Sequence, residues 1–307
     1  MTVLRLGEAD FVRLRQLIVA LTGIQLDDSK LALVESRLGH RLHELGLDSF
    51  HAYYRRLQSG EDSAAELQNL VDRITTQTTS FFRELIQFQY LGEQLLPEWL
   101  ARTQAPIRRL RLWSAGCSTG QEPYSLAAVV HHGLRNVPAV DARILATDVS
   151  HRALSTAQKA LYEDSVDLIP FELRSYFSRR KQGTLSELTV VPPLRKLVVF
   201  RLLNLLTEEL PFRSHFTGIF CRNVLIYFRA DLRQRVVAAL SQHLEPGGCL
   251  FLGLSEGLVE IPSGLRQVGP AIYQRVGPPT EPPPGRPPSP NKWSDRDHGQ
   301  NSGLGRR

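Results

Sequence analysis

The sequence is poor in the residues that mark secreted, metal-binding or membrane-spanning chains. Among 307 residues there are three cysteines and one methionine. Cys117, Cys221 and Cys249 are odd in number and far apart, which suits neither a disulfide framework nor a zinc site and predicts a reducing, cytoplasmic setting. No His, Cys or Asp group has the spacing of a ligand set, so no metal is expected. No apolar run approaches the ~20 residues that cross a bilayer, and no signal-like segment precedes Phe11. The dinucleotide fingerprint G-x-G-x-x-G is missing, and no aromatic-rich RNA-binding signature occurs.

What remains is a soluble, globular composition, 42% hydrophobic, with length for two domains. The net charge of +6 is uneven. Residues 1–85 carry 10 Lys/Arg against 12 Asp/Glu, and residues 86–277 carry 22 against 16. A basic middle could meet an acidic partner or nucleic acid, but without a nucleic-acid motif a solvated basic surface is the simpler reading.

The stretch from Leu110 to Ala127 organises the chain. An apolar run to Trp113 reads as a buried strand, Gly116-Cys117-Ser118-Thr119-Gly120 as a turn, and Glu122-Pro123 as a helix start. Strand, glycine turn and helix begin a nucleotide-binding βαβ unit, in which Gly116 and Gly120 let the backbone approach a ligand. Glu122 lies where a pyrophosphate would sit on the helix N-terminus. A carboxylate there either caps the helix or attracts a cation. On the second reading the ligand is an adenosine compound without phosphate and with positive charge, which describes S-adenosylmethionine.

Around this stretch the first 75 residues predict four helices. Their stops and starts are Gly23, an Asp28-Ser29 cap, Gly46, an Asp48 cap and a Ser63–Glu66 capping box. Arg37, His40 and Arg41 cluster on the second helix, as a solvated face or a docking surface. The hydroxyl-rich run 75–80, followed by Phe81-Phe82-Arg83-Glu84, reads as a linker or as a loop folded over a ligand. Strands are predicted over Ala142–Thr147, Leu197–Arg201, Gly218–Leu225 and Cys249–Leu254, with a hairpin partner at Arg266–Val276. Asp148 ends the second strand, where an acid can bind ribose hydroxyls. Arg222 and Asn223 lie at a strand's carboxyl end, where open α/β sheets bind ligands. Residues 164–196, with Arg179-Arg180-Lys181 before Gly183, look like a small insertion. The Pro-rich tail 278–307 reads as disordered.

Taken in order, TTQTTSFFRE, WSAGCSTGQEPYSLA, ATDVS, NLL, FCRNVLIYF and GGCLFLGLSE resemble the CheR family, S-adenosylmethionine-dependent protein-glutamate O-methyltransferases acting on chemotaxis receptors. The resemblance covers about residues 5–276. It implies an α/β fold: a class I, Rossmann-like methyltransferase domain (105–277) whose seven-stranded sheet holds one antiparallel strand. A small β-subdomain is inserted at 164–196, an all-α domain (1–75) precedes, and residues 76–104 link the two and cover the cofactor. The implied cofactor, S-adenosyl-L-methionine, falls to Gln77, Thr79, Arg83, Gly116, Glu122, Asp148, Asn204, Leu205, Arg222 and Asn223. Gln77 stands where some members have Asn. Arg83 and Tyr227 are the candidates for holding the acceptor carboxylate or the cofactor edge, with Arg222 alternatively satisfying backbone carbonyls. The implied partner is the cytoplasmic domain of chemoreceptors, with no nucleic acid, no metal, and membrane contact only through the receptor. Competing readings are a methyltransferase for RNA or a small molecule, and a cofactor-binding regulator without catalysis.

Overall fold

A computed structural model describes residues 4–277 except 60, 61, 164, 183, 184 and 213. The tail 278–307 and Gly183 therefore lie outside the described residues. The chain opens with four helices, α1 (Glu8–Thr22), α2 (Leu31–Glu44), α3 (Phe50–Ser59) and α4 (Ser63–Ile74). Apolar residues at helical spacing, Phe11, Leu14, Ile18, Leu38, Leu42 and Tyr53, are buried between them. Gly23 stops α1 in the left-handed region at φ 73°.

Three helix caps differ from expectation. Asp27, not Asp28, accepts the Ser29 N–H, and Ser49, not Asp48, accepts the Ala52 N–H. The Ser63–Glu66 capping box does not form. Glu66 turns into the bundle instead, accepting from Arg41 Nε and Nη2 (3.0 and 2.6 Å) and from the Tyr53 hydroxyl (2.9 Å). A carboxylate that reaches a guanidinium and a phenol in the interior gains two partners, one of them charged, whereas a helix end exposed to water offers only one weak N–H.

Residues 75–85 cross without regular structure to α5 (Ile86–Tyr90), a π-helical turn (Leu91–Leu95) and α6 (Leu96–Arg102), which run on as one rod. The α/β part follows in chain order: β1 (Arg108–Ala115), α7 (Gln121–Leu134), β2 (Val140–Asp148), α8 (His151–Lys159), β3 (Leu161–Glu163), β4 (Phe177–Gln182), β5 (Leu185–Val190), α9 (Pro192–Arg195), β6 (Val198–Leu202), β7 (Phe216–Cys221), α10 (Ala230–Gln242), β8 (Leu244–Leu252), β9 (Leu265–Gly269) and β10 (Ile272–Arg275). Seven strands form one sheet in the order β6-β2-β1-β7-β8-β10-β9, with β10 antiparallel to both neighbours and the others aligned. β3, β5 and β4 form a separate antiparallel sheet.

Central strands β1 and β7 are apolar on both faces because helices cover both sides. Phe220 stacks on Phe251 at 4.0 Å between centroids, and Trp113 donates its indole N–H to Thr147 Oγ1 at 2.9 Å. Two strand boundaries shift from expectation. β7 stops at Cys221, so Arg222 and Asn223 lie beyond the sheet rather than in it. β8 begins at Leu244 and takes Pro246, Gly247 and Gly248 into the strand.

Candidate active site

The carboxyl ends of β1, β2 and β7 frame a cavity of about 290 Å³. Its walls come from distant parts of the chain: Thr22 and Ile24 at the end of α1, residues 75–80 and Arg83, the Gly116–Ser118 turn with Glu122, Asp148, residues 203–205, and residues 222–224 and 226–228. Every predicted site residue, Gln77, Thr79, Arg83, Gly116, Glu122, Asp148, Asn204, Leu205, Arg222, Asn223 and Tyr227, lines this one cavity.

The loop 75–85 covers the cavity and is tied down along its length. Ser118 Oγ donates to the Gln77 carbonyl at 3.1 Å, and the Phe82 N–H donates to Ser125 Oγ at 3.0 Å. Phe81 packs edge-on against Tyr162 and Phe177 of the small sheet, with centroids 5.0 and 5.1 Å away. Arg37 reaches across from α2 to the Ile74 carbonyl and to Thr76 Oγ1. Phe82, Glu84, Ser118 and Asn223 all have φ between 50° and 58°. Non-glycine residues rarely sit there, and such strain gathers where surrounding contacts over-determine a functional geometry. Gly116, at φ 81°, needs no such strain, but a Cβ on it would run into the Val224 methyl.

The floor is an ion cluster. Arg222 is buried and bridges Glu122 Oε2 (3.0 Å) and Glu84 Oε2 (3.1 Å), and it also donates to the Arg83 carbonyl. Ser114 Oγ donates to Glu122 Oε1 at 2.7 Å. Two carboxylates around one guanidinium leave the cluster one negative charge in excess. Burial raises the Glu122 carboxyl above its ordinary 4.5, against the pull of Arg222 and Ser114. Asp148 is likewise pushed up by burial, although it accepts from the backbone N–H groups of Ser150 (2.9 Å) and Ser118 (2.8 Å).

This geometry adds partners that the sequence did not show. Glu122 does not stand alone, because Arg222 contacts it. Arg222 does satisfy a carbonyl, that of Arg83, but its larger role is to bind the covering loop to the floor. Asn204 is also more structural than expected: its amide donates to the Leu21 carbonyl (2.7 Å) and accepts from the Leu206 N–H (3.0 Å). Arg37, His40 and Arg41 each contact the protein itself, Arg37 at the Ile74 carbonyl, His40 at Glu44 and Arg41 at Glu66, while His40 stays largely exposed. Sequence reasoning missed Glu84 as a partner of Arg222, although FFRE contained it, and missed Thr22 and Ile24, which carry no chemical signal. Among the described residues no group of three or more His, Cys, Asp or Glu could hold a metal ion, and no helix is long and apolar enough to cross a membrane.

Two family models match this chain. The CheR methyltransferase all-alpha domain matches residues 9–75, and the CheR methyltransferase SAM binding domain matches residues 77–273. The chain belongs to the CheR methyltransferase family. It is 37% identical over 268 residues to chemotaxis protein methyltransferase 2 of Pseudomonas aeruginosa, covering 86% of this chain and 92% of that protein. The chemotaxis protein methyltransferase of Escherichia coli is 35% identical over 272 residues, covering 88% and 92%. That of Borreliella burgdorferi is 34% identical over 256 residues, covering 82% and 89%.

Like the rest of the CheR methyltransferase family, this protein uses S-adenosylmethionine, and the cavity fits it. Gln77 Oε1 is buried without a partner among the described residues, and it lines the cavity with two carboxylates. These are acceptors, suited to an ammonium, a sulfonium and ribose hydroxyls, and they would repel a phosphate.

Proposed function

We propose that this CheR methyltransferase methylates glutamate side chains in the cytoplasmic domains of chemoreceptors, forming methyl esters. The observation that carries the reading is the pairing of an acidic floor with an exposed arginine at the rim of one cavity. The Arg83 side chain makes one hydrogen bond among the described residues, to the Thr78 carbonyl at 3.4 Å. In this reading its guanidinium holds the incoming carboxylate together with Tyr227, which lines the same cavity.

When bound, S-adenosylmethionine supplies a methyl group activated by positively charged sulfur. Glu122 and its cluster orient the ammonium, Asp148 accepts from ribose hydroxyls through lone pairs the backbone leaves open, and Gln77 offers its unpartnered oxygen. Thr79, Gly116, Leu205 and Asn223 shape the remaining wall, with Asn204 fixing the loop that carries Leu205. A glutamate with a pKa of about 4.3 is already ionised at neutral pH, so no general base is required. Arg83 and Tyr227 align the acceptor oxygen, and the covering loop excludes water. In this reading residues 1–75 are the helical domain, 76–104 the covering linker and 105–277 the methyltransferase domain, with 164–196 inserted. The setting is the cytoplasm, with the membrane met only through the receptor.

A tritium methyl-transfer assay on chemoreceptor cytoplasmic fragments tests this. Label released as methanol by mild base is the expected result. Base-stable label would point to an amine or RNA acceptor, and tight cofactor binding without any label to a regulator; either overturns the reading.

A further inference from the structure

Glu256 is fully buried and lies outside the cavity lining, one layer beneath it. It ends a short 3₁₀ turn (Leu254–Glu256) after β8, where an ordinary role would be to cap its own turn, and it does accept the Gly253 N–H through Oε2 at 2.7 Å. The same oxygen, however, accepts the Asn223 N–H at 2.6 Å, and Oε1 accepts the Ile226 N–H at 2.9 Å. Both of these donors come from the loop after β7, about thirty residues earlier in the chain. Three backbone amides from two loops therefore converge on one carboxylate, as they do on a bound anion.

The residues so anchored matter. Asn223 is held at φ 58°, and Ile226 is followed by Tyr227; Asn223, Ile226 and Tyr227 all line the cavity. Gly253 makes the approach possible. A Cβ there would stand 2.6 Å from Glu256 Oε2, 2.7 Å from Asn223 Nδ2 and 3.0 Å from Asn223 N. At φ −61° and ψ 148° the Gly253 backbone suits any residue, so the glycine is required by space alone.

We propose that Glu256 is a positioning residue: its carboxylate fixes the Asn223–Tyr227 loop so that Tyr227 faces the acceptor. The proposal rests on the functional reading above for the role of Tyr227 and for methyl transfer as its readout, whereas the amide-exchange arm below is independent of it. An amide in place of the carboxylate puts an NH2 group against a backbone N–H, so at least one of the three bonds is lost and the loop moves.

The experiment is a double-mutant cycle. Glu256→Gln, corrected for folded enzyme by counting cofactor sites at saturating cofactor, should lower kcat at least tenfold, with any rise in the KM for cofactor through Asn223 smaller than the kcat loss. In a Tyr227→Phe background the same substitution should cost less than threefold more, because the group it positions is already altered. Gly253→Ala, which leaves the charge intact and only displaces it, should reproduce the kcat loss. Should Glu256→Gln not fold, amide exchange in the unaltered protein decides: the Asn223, Ile226 and Gly253 amides should exchange as slowly as those of β7. Equal losses in both backgrounds, a lowered melting temperature with kcat per folded site unchanged, or fast exchange at the three amides would each overturn the proposal.

Discussion

Glu122 shows how a residue's neighbours decide its chemistry. The helix N-terminus that flags it in the sequence would by itself stabilise its charge, yet burial dominates and holds its carboxyl above 4.5. An acid raised on folding contributes stability below its unfolded value and loses it as the pH climbs through the folded value. A cationic ligand favours the ionised form, so cofactor affinity should rise as the pH climbs toward the raised value of the free protein, and binding there should release protons. Calorimetry across the acidic range in two buffers of different ionisation enthalpy measures that release. Glu122→Gln should abolish it and weaken S-adenosylmethionine and S-adenosylhomocysteine alike, by roughly ten- to a hundredfold, since both keep the ammonium. Gly116→Ala combines a left-handed backbone with a collision on Val224, and urea unfolding should show a loss of about 2 kcal/mol or more. Glu122, Asp148 and Gly116 were legible because their chemistry is local to a strand end and a turn. Glu84 was not, because its partner Arg222 lies 138 residues away and nothing in the spacing joins them.

At the scale of the element, α4 was placed correctly from its apolar stripe while its first turn was misread. Ser63–Glu66 has the letters of a capping box, but a local pattern cannot see that Arg41 and Tyr53 from α2 and α3 stand ready to donate to the same carboxylate. Glu66 lies 1% exposed beside an Arg41 side chain that is 20% exposed. Removing one partner of a pair with one end so deeply buried costs about 3–5 kcal/mol, so Glu66→Ala should markedly lower the melting temperature. Replacing it together with Arg41 by apolar residues of similar size should recover most of the loss. Arg41→Glu, which a docking surface would register as a raised KM for the acceptor, should instead unfold α2 and α4 by facing a second carboxylate to Glu66. Circular dichroism at 222 nm separates the two outcomes.

For the whole molecule, the seven-stranded sheet with one antiparallel strand followed from the family resemblance, whereas the strand order and the place of β10 in it were not legible, because buried parallel strands look alike. What neither disclosed is that the helical bundle closes the cavity. The Gln25 N–H donates to the Tyr227 carbonyl at 2.9 Å, and Asn204 bonds the end of α1 at Leu21. Asn204→Ala should therefore lower cofactor affinity several-fold with little change in overall stability, as read by equilibrium dialysis alongside thermal melting. The cavity wall thus begins at Thr22 and ends at Phe228 in the chain. That span sets a timetable during synthesis. A ribosome adding about 5–20 residues per second makes the helical bundle first and reaches Tyr227 roughly 10–30 s after Ile74. Until then the nascent chain lacks the last wall of the binding pocket, so the cofactor cannot assist its early folding and becomes a ligand only once most of the methyltransferase domain has been made.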